Sequence, residues 1–252
     1  ALFAQVIDNL NDWGAKVIAF DKLFAEPDIR PQPAPDMTAE EMMAEAMQRH
    51  GNVILACKQE AEIYTDEEGR RIPIKTFVGP SSSGETEVLL EHSHLGSINV
   101  PLDSDNGLRW VPLQFEHQGE EIPSFARAVA ELFLSLPAQA SVRTSTREFK
   151  IGDRIIPLND HGRMAINFTG TRIPMVPLAY VWMGDTETLE FAGYDPDVFR
   201  DAIVLIGAYT TDLHDLYRVP HCRVSSFSGG QLIPGVEIQG QAVNTILSGE
   251  FL

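Results

Sequence analysis

Cysteine, basic charge and long apolar runs are all scarce in this 252-residue chain, and each scarcity narrows what it can be. Only two cysteines occur, Cys57 and Cys222, and neither belongs to a Cys-x-x-Cys spelling. Cys57 closes the apolar run Val53-Ile54-Leu55-Ala56 and reads as a small buried hydrophobe. A disulfide to Cys222 would suit an oxidising compartment, but sequence alone does not place the two Cβ atoms. Basic residues number 19 against 36 acidic ones, a formal charge of −17. Nucleic acid and anionic membrane surfaces both require a positive face, so neither is expected as a partner. No stretch approaches the roughly 18 consecutive apolar residues of a membrane-spanning helix. The chain begins at Ala1 already inside a helical pattern, so no signal peptide is expected, and it reads as cut at its front.

The familiar catalytic spellings are missing too. Gly207 follows an apolar run, but neither Gly-x-Gly-x-x-Gly nor Gly-Lys-Ser/Thr follows it, and Asp212 and Asp215 would repel phosphate. There is no Gly-x-Ser-x-Gly elbow, and so no visible carrier for hydrolysis. Asp103-Ser104-Asp105-Asn106-Gly107 resembles a calcium loop in composition only. The EF-hand spelling needs Gly sixth and an acidic residue twelfth, whereas here Gly is fifth and Gln114 twelfth. His92 and His94, and the set Asp212, His214, Asp215, His221 and Cys222, are suitable ligand types without a metal-binding spacing. No metal, cofactor or catalytic residue is assigned.

What remains is the pattern of a folded α/β protein, with 44% apolar and 22% charged residues. Leu2, Phe3, Val6, Ile7 and Leu10 recur at helical spacing, so residues 1–12 should form a helix that Gly14 ends. Val17-Ile18-Ala19-Phe20 is a buried strand with Asp21 at its carboxyl end. The pair is the second half of a βαβ crossover whose first strand is absent. That absence should leave a sheet edge unpaired beside residues 16–20. Prolines 27, 31, 33 and 35 make a stiff connector. Thr38 and Glu41 spell a capping box for a helix carrying Met42, Met43 and Met47 and ending at Gly51, after which residues 52–56 form a strand. The methionine stripe is read as core.

The middle third is rich in hairpin signals: Glu67-Glu68-Gly69, Gly152-Asp153, and Asn106-Gly107 between 98–100 and 108–111. Ser81-Ser82-Ser83-Gly84 reads as a flexible loop. Ser124 caps a helix through Phe133, Met164–Phe168 reads as a strand, and Pro177–Met183 as a short helix. Finally, Ile203-Val204-Leu205-Ile206 reads as a strand covered on both faces, followed by a polar turn and a helix from Pro234 to Gly249. The expected fold is one α/β domain over residues 1–252. It has a mixed, largely parallel sheet with helices on both faces and an inserted hairpin-rich middle region.

Three stretches also resemble one family. Gly14-Ala15-Lys16-Val17-Ile18-Ala19-Phe20-Asp21-Lys22-Leu23-Phe24-Ala25-Glu26-Pro27 looks like the front signature of the second CHASE family, the cyclase/histidine-kinase-associated sensory extracellular domains. Asn99-Val100 with Asp103, Asp105, Gly107 and Arg109 resembles its central asparagine, then D-x-D-G-x-x-R stretch, here lengthened by Asn106. Ile203–Ala208, Asp215, Pro220, Pro234–Ile238, Asn244 and Leu247–Gly249 are similar to its closing signature.

The resemblance implies a non-enzymatic, extracytoplasmic (periplasmic) sensor of a bacterial membrane signalling protein. Its opening strand, with Ile-Asp and Trp-Pro motifs, would be missing. Transmembrane helices and a cytoplasmic adenylate or guanylate cyclase or histidine kinase would follow it. An unidentified small ligand is expected at the carboxyl edge of the sheet, where α/β folds usually bind. Asp21, Asp212 and Asp215 would sit near that edge, with Arg109 countering one of them. The helix at 235–248 would carry the signal. The alternatives are a ligand-free homodimerisation module and an α/β hydrolase.

Overall fold

The computed structural model describes residues 2–27, 37–65, 70–80, 84, 86–137, 140–169, 173–209, 215–220 and 232–252. Its elements run α1 (Leu2–Asp12), β1 (Val17–Leu23), α2 (Ala39–His50), β2 (Val53–Thr65), β3 (Arg71–Val78), β4 (His94–Ser97), β5 (Trp110–Pro112), β6 (Gln114–His117), β7 (Glu120–Pro123) and α3 (Phe125–Phe133). They continue with β8 (Ser141–Arg143), β9 (Glu148–Ile151), β10 (Arg154–Pro157), β11 (Arg163–Ala165), α4 (Leu178–Met183), α5 (Thr186–Phe191), β12 (Ile203–Gly207), β13 (Leu216–Arg218), β14 (Leu232–Pro234) and α6 (Gly235–Ser248).

The main sheet runs β12-β1-β2-β3, with β4 also on β2. β1 pairs in parallel with β12 and with β2, and β2 in parallel with β4. The second half of β2 leaves this parallel core and pairs antiparallel with β3 from Lys58↔Val78 to Thr65↔Arg71. The sheet is therefore mixed with a parallel core, as the strand–helix–strand pattern implies. The 149–156 hairpin forms as β9–β10.

Strand alternation divides the buried residues into two clusters. Ile18, Phe20, Val53 and Leu55 pack with Ile7 and Leu10 of α1 and with Met43 and Met47 of α2. Val17, Ala19, Ile54 and Ala56 pack with Phe125 and Val129 of α3 and with Ile238, Ala242 and Ile246 of α6. The methionine stripe is core, as read. Local chemistry places the helices. Thr38 and Glu41 exchange both capping-box bonds at the start of α2, and Gly51 closes it in the left-handed region. Ser124 Oγ accepts from Arg127 N at the start of α3. Cys57 is a free, buried thiol whose pKa burial pushes up to about 12. Cys222 lies outside the described residues, as do the 28–36 part of the proline connector, the turn at 66–69 and residues 81–83.

Four expectations need correcting. β1 has no free edge, because β12 pairs it on one side and β2 on the other. Among the described residues the edge strand on this side of the sheet is β12. β12, as that edge strand, is covered on both faces only in part. Ile203, Val204, Leu205 and Ile206 touch both clusters but are only partly buried, as an edge strand's side chains are. The Asn106-Gly107 turn exists, but its flanks do not form a hairpin. Asn99 instead clamps β2, accepting from Gln59 N and donating to Gln59 O, and Trp110–Pro112 pairs with β11. The strand read over Met164–Phe168 is the shorter β11: Ile166 N still bonds Arg109 O in line with the β5 register, but Asn167 N turns to Thr245 Oγ1.

β4 crosses α3 at a glycine. A Cβ on Gly96 would stand 2.6 Å from the Cα of Phe125, a backbone atom that cannot swing aside. Gly96→Ala is therefore expected to cost about 1–3 kcal/mol through forced overpacking. Urea unfolding checks this, and an unchanged midpoint would mean that α3 does not hold β4 as described.

Candidate functional site

The carboxyl ends of β1 and β12 meet the start of α6, and acidic side chains collect there. Asp21 is the last β1 residue in register with β12, opposite Gly207. On its other side the pairing with β2 slips between Phe20 and Leu23. Such a bulge re-aims the side chain it carries. Gly207 lets α6 approach: a Cβ there would lie 2.7 Å from Val236 Cβ and 3.3 Å from Asp21 Cβ. Gly235 does the same for Asp215, whose Oδ1 would stand 2.8 Å from a Cβ at that position. Asp215 O also accepts from Gly235 N at 3.0 Å. Asp215 is thus packed against the first turn of α6, and Asp21 stands beside Gly207, which the same turn covers through Val236.

The electrostatics follow from this crowding. Burial, with the nearby Asp215 carboxylate second, pushes Asp21 up to about 7. Tyr217 is pushed to about 12 by burial, by the negative charge of Asp215, by the hydrogen bond its hydroxyl donates to Asp215, and by Asp21. Glu237, in the same helical turn, is raised by burial and partly offset by a 3.4 Å bond from the Tyr209 hydroxyl. The junction therefore holds two carboxyls reluctant to ionise, Asp21 and Glu237, and a phenol reluctant to lose its proton, Tyr217. It suits a proton, a cationic group or a hydrogen-bond donor.

The structure brings Asp21 and Asp215 together. Asp212 lies outside the described residues. Arg109 counters other carboxylates: its guanidinium donates to Asp103 Oδ2 at 2.8 Å and forks onto both oxygens of Asp105 at 2.9 and 2.6 Å. Asp105 is held well below the usual carboxylate range, chiefly by this bond. The ion pair closes the Asp103–Gly107 turn, and the turn abuts the acidic cleft by backbone. Gly107 bridges Arg218, and Leu108 N donates to Arg218 O at 2.7 Å, three residues beyond Asp215. The residues missed in the sequence were Tyr217, Glu237 and Tyr209. Tyr217 could have been found, since positions i and i+2 of an extended chain share a face and it follows Asp215 by two.

Among the described residues no three of His, Cys, Asp and Glu converge as metal ligands, and no helix is long and apolar enough to cross a membrane. A shallow cleft of about 340 Å³ lies between Thr38 and Glu41 at the start of α2 and the 3-10 helix residues Glu87, Val88 and Glu91. There Glu41 is held by its own helix cap.

The chain is thus a mixed α/β domain whose parallel core carries an acidic junction at the start of α6. A family model, the CHASE2 domain, matches residues 1–252, and the chain belongs to that family. CHASE2 domains are sensory extracellular domains of cyclase- and kinase-type signalling proteins, and are not catalytic. Comparison with curated proteins and with solved structures gave no match.

The cleft makes stability depend on pH. Between its ordinary 3.8 and its folded value of about 7, Asp21 keeps a proton in the folded chain that the unfolded chain has released. Its contribution therefore falls as pH rises through that window, and the full cost is present above about 7. Asp21→Asn is expected to be more stable than the native chain by about 1–3 kcal/mol at pH 8, with the difference vanishing towards pH 4. Urea titrations at both pH values check this, and a constant difference would place Asp21 in water.

Proposed function

We propose that this domain is the extracytoplasmic sensor of a bacterial membrane signalling protein whose cytoplasmic part is an adenylate or guanylate cyclase or a histidine kinase. It reads a small ligand at the acidic cleft and passes the result through α6 towards transmembrane helices. The observation that carries this reading is that the Asp215 carboxylate lies against Gly235 in the first turn of α6, with Asp21 beside the Gly207 that lets this turn approach. A ligand that neutralises these carboxyls favours one placement of α6, and only such differential affinity can transmit. The reading takes the two core clusters as opposite faces of the sheet, with α1 and α2 on one and α3 and α6 on the other.

One observation favours a second reading. Trp182 and Met183 of α4 are 42% and 53% exposed, and Phe191 at the end of α5 is 96% exposed. Large apolar side chains left in water suit a contact between copies, as in a module that aligns output domains without any ligand.

Signalling output of the full-length receptor separates the two. Asp215→Ala should alter output under the sensor reading, while Phe191→Ser leaves it intact. The reverse pattern would establish dimerisation. A thermal-shift screen of small cations and amines on the domain should find a binder worth about 2.7 kcal/mol at a hundredfold excess over its Kd. Asp21→Asn should remove that gain, and its survival would move the site elsewhere.

A further inference from the structure

Of the twelve large hydrophobic side chains left exposed among the described residues, six lie in one short stretch: Ile173, Met175, Trp182, Met183, Phe191 and Val198. From Ile173 to Phe199 the chain also carries five carboxylates and no lysine, arginine or histidine. We propose that the outer face built by α4, α5 and the 3-10 turn Pro196–Phe199 docks a cationic amphipathic segment of another protein. Such a segment carries lysine or arginine beside large apolar side chains. The surface is separate from the acidic junction, because its helices pack into the cluster of α1 and α2, whereas α6 belongs to the other.

The face is held in place from behind. Val181, Leu189 and Phe199 are buried in the core cluster. Asn9 of α1 donates to Val181 O at 2.8 Å and to Trp182 O at 3.2 Å. Trp13 stacks on Phe199 with ring centroids 5.2 Å apart, and the Tyr180 and Tyr194 rings, 5.7 Å apart, tie α4 to the turn after α5. With the inner positions fixed, helical spacing turns two sets outward. Ala179, Trp182 and Met183 are exposed on α4, and Glu187, Glu190 and Phe191 on α5. Phe191 thus stands in water on the same helical face as two carboxylates.

The carboxylates decide what can cover these side chains. Asp185 and Asp195 are engaged as helix caps, and Asp197 pairs with Arg200. Glu187 and Glu190 share their helix with no cation. On the neighbouring α1, Asp8 already holds Arg49, and the exposed Asp12, three residues beyond Asn9, adds a further negative charge. A second copy, itself at −17, would set like charge against like, above all in a two-fold contact where the patch meets itself. An anionic lipid surface meets the same repulsion. A cationic amphipathic segment satisfies both halves of the face. Its apolar side chains cover Trp182, Met183 and Phe191, and its ammonium or guanidinium groups meet Glu187 and Glu190, so that no carboxylate is buried unpaired.

Calorimetric titration of the domain with a synthetic helix bearing lysine on one face and leucine on the other tests this. Binding is expected, with the amides of α4 and α5 shifting in NMR spectra, while a helix with glutamate in place of lysine should not bind. Phe191→Ser should weaken binding at least about tenfold, and so should Glu187→Lys combined with Glu190→Lys. The charge-reversed chain should in turn gain affinity for the glutamate helix. A matched reversal at exposed sites elsewhere, Glu45→Lys with Glu148→Lys, should weaken binding far less. All these side chains are exposed, so unchanged urea midpoints should confirm that each variant stays folded. No binding, or equal losses in the two reversed chains, would overturn the proposal. So would self-association of the domain that Phe191→Ser abolishes, or binding of anionic vesicles through the same residues.

Discussion

The parallel pairing of Val17–Asp21 with Ile203–Gly207 joins segments almost the whole chain apart, and the rest of the molecule depends on it. It puts β1 in the interior of the sheet, so its alternating side chains can divide the core between α1 with α2 and α3 with α6. It brings Asp21 level with Gly207 and, through Val236, with the start of α6. Because the join spans so many residues, loop-closure entropy must be met before it yields contacts. The long apolar rows on both strands offset that cost. The acidic cleft is where the pairing ends, beyond the last ladder bonds, and there polar groups replace apolar ones.

Much of this was legible in the chain because local chemistry and tertiary packing agree. The Thr38–Glu41 box, the Ser124 cap, the Gly51 and Gly249 stops and the 3.6-residue spacing of Val6, Ile7 and Leu10 all point to the helices that form. Pairing was less legible. Val17–Phe20 reads as buried, and it is, yet nothing local says which strand lies beside it. An unpaired edge was therefore assigned to β1 although the edge strand on that side is β12. The Asn106-Gly107 turn failed differently. Its turn chemistry was read correctly, but Arg109 drawing in Asp103 and Asp105 settles the local shape, and Asn99 is already committed to Gln59 on β2. A hairpin needs both flanks free to pair, and one flank was engaged.

The site was legible as a place and not as a set. The carboxyl end of a parallel strand is a sound expectation for Asp21, and the residues before Pro234 led to Asp215. Arg109 was expected among these carboxylates on charge grounds. In the fold its nearest acidic partners come from its own turn, where closing the ion pair orders fewer residues than reaching across the cleft would. Tyr217 and Glu237 were missed because each reads as ordinary in its own element. They matter only once β13, the segment before it and α6 converge.

That convergence explains why an otherwise well-packed protein keeps two carboxyls where one is costly. If stability alone governed the junction, an amide at position 21 would serve the packing and avoid the repulsion. The junction instead places desolvation and a like charge on Asp21, and the amino end of a helix beside Asp215. Glycines at 207 and 235 remove the slack that would let them relax. Strain of this kind concentrates where a state must be read, because a group balanced between two charges responds to small changes around it. In a family of sensory domains, that coincidence of a costly carboxyl with the end of a buried helix marks the junction as the candidate functional site.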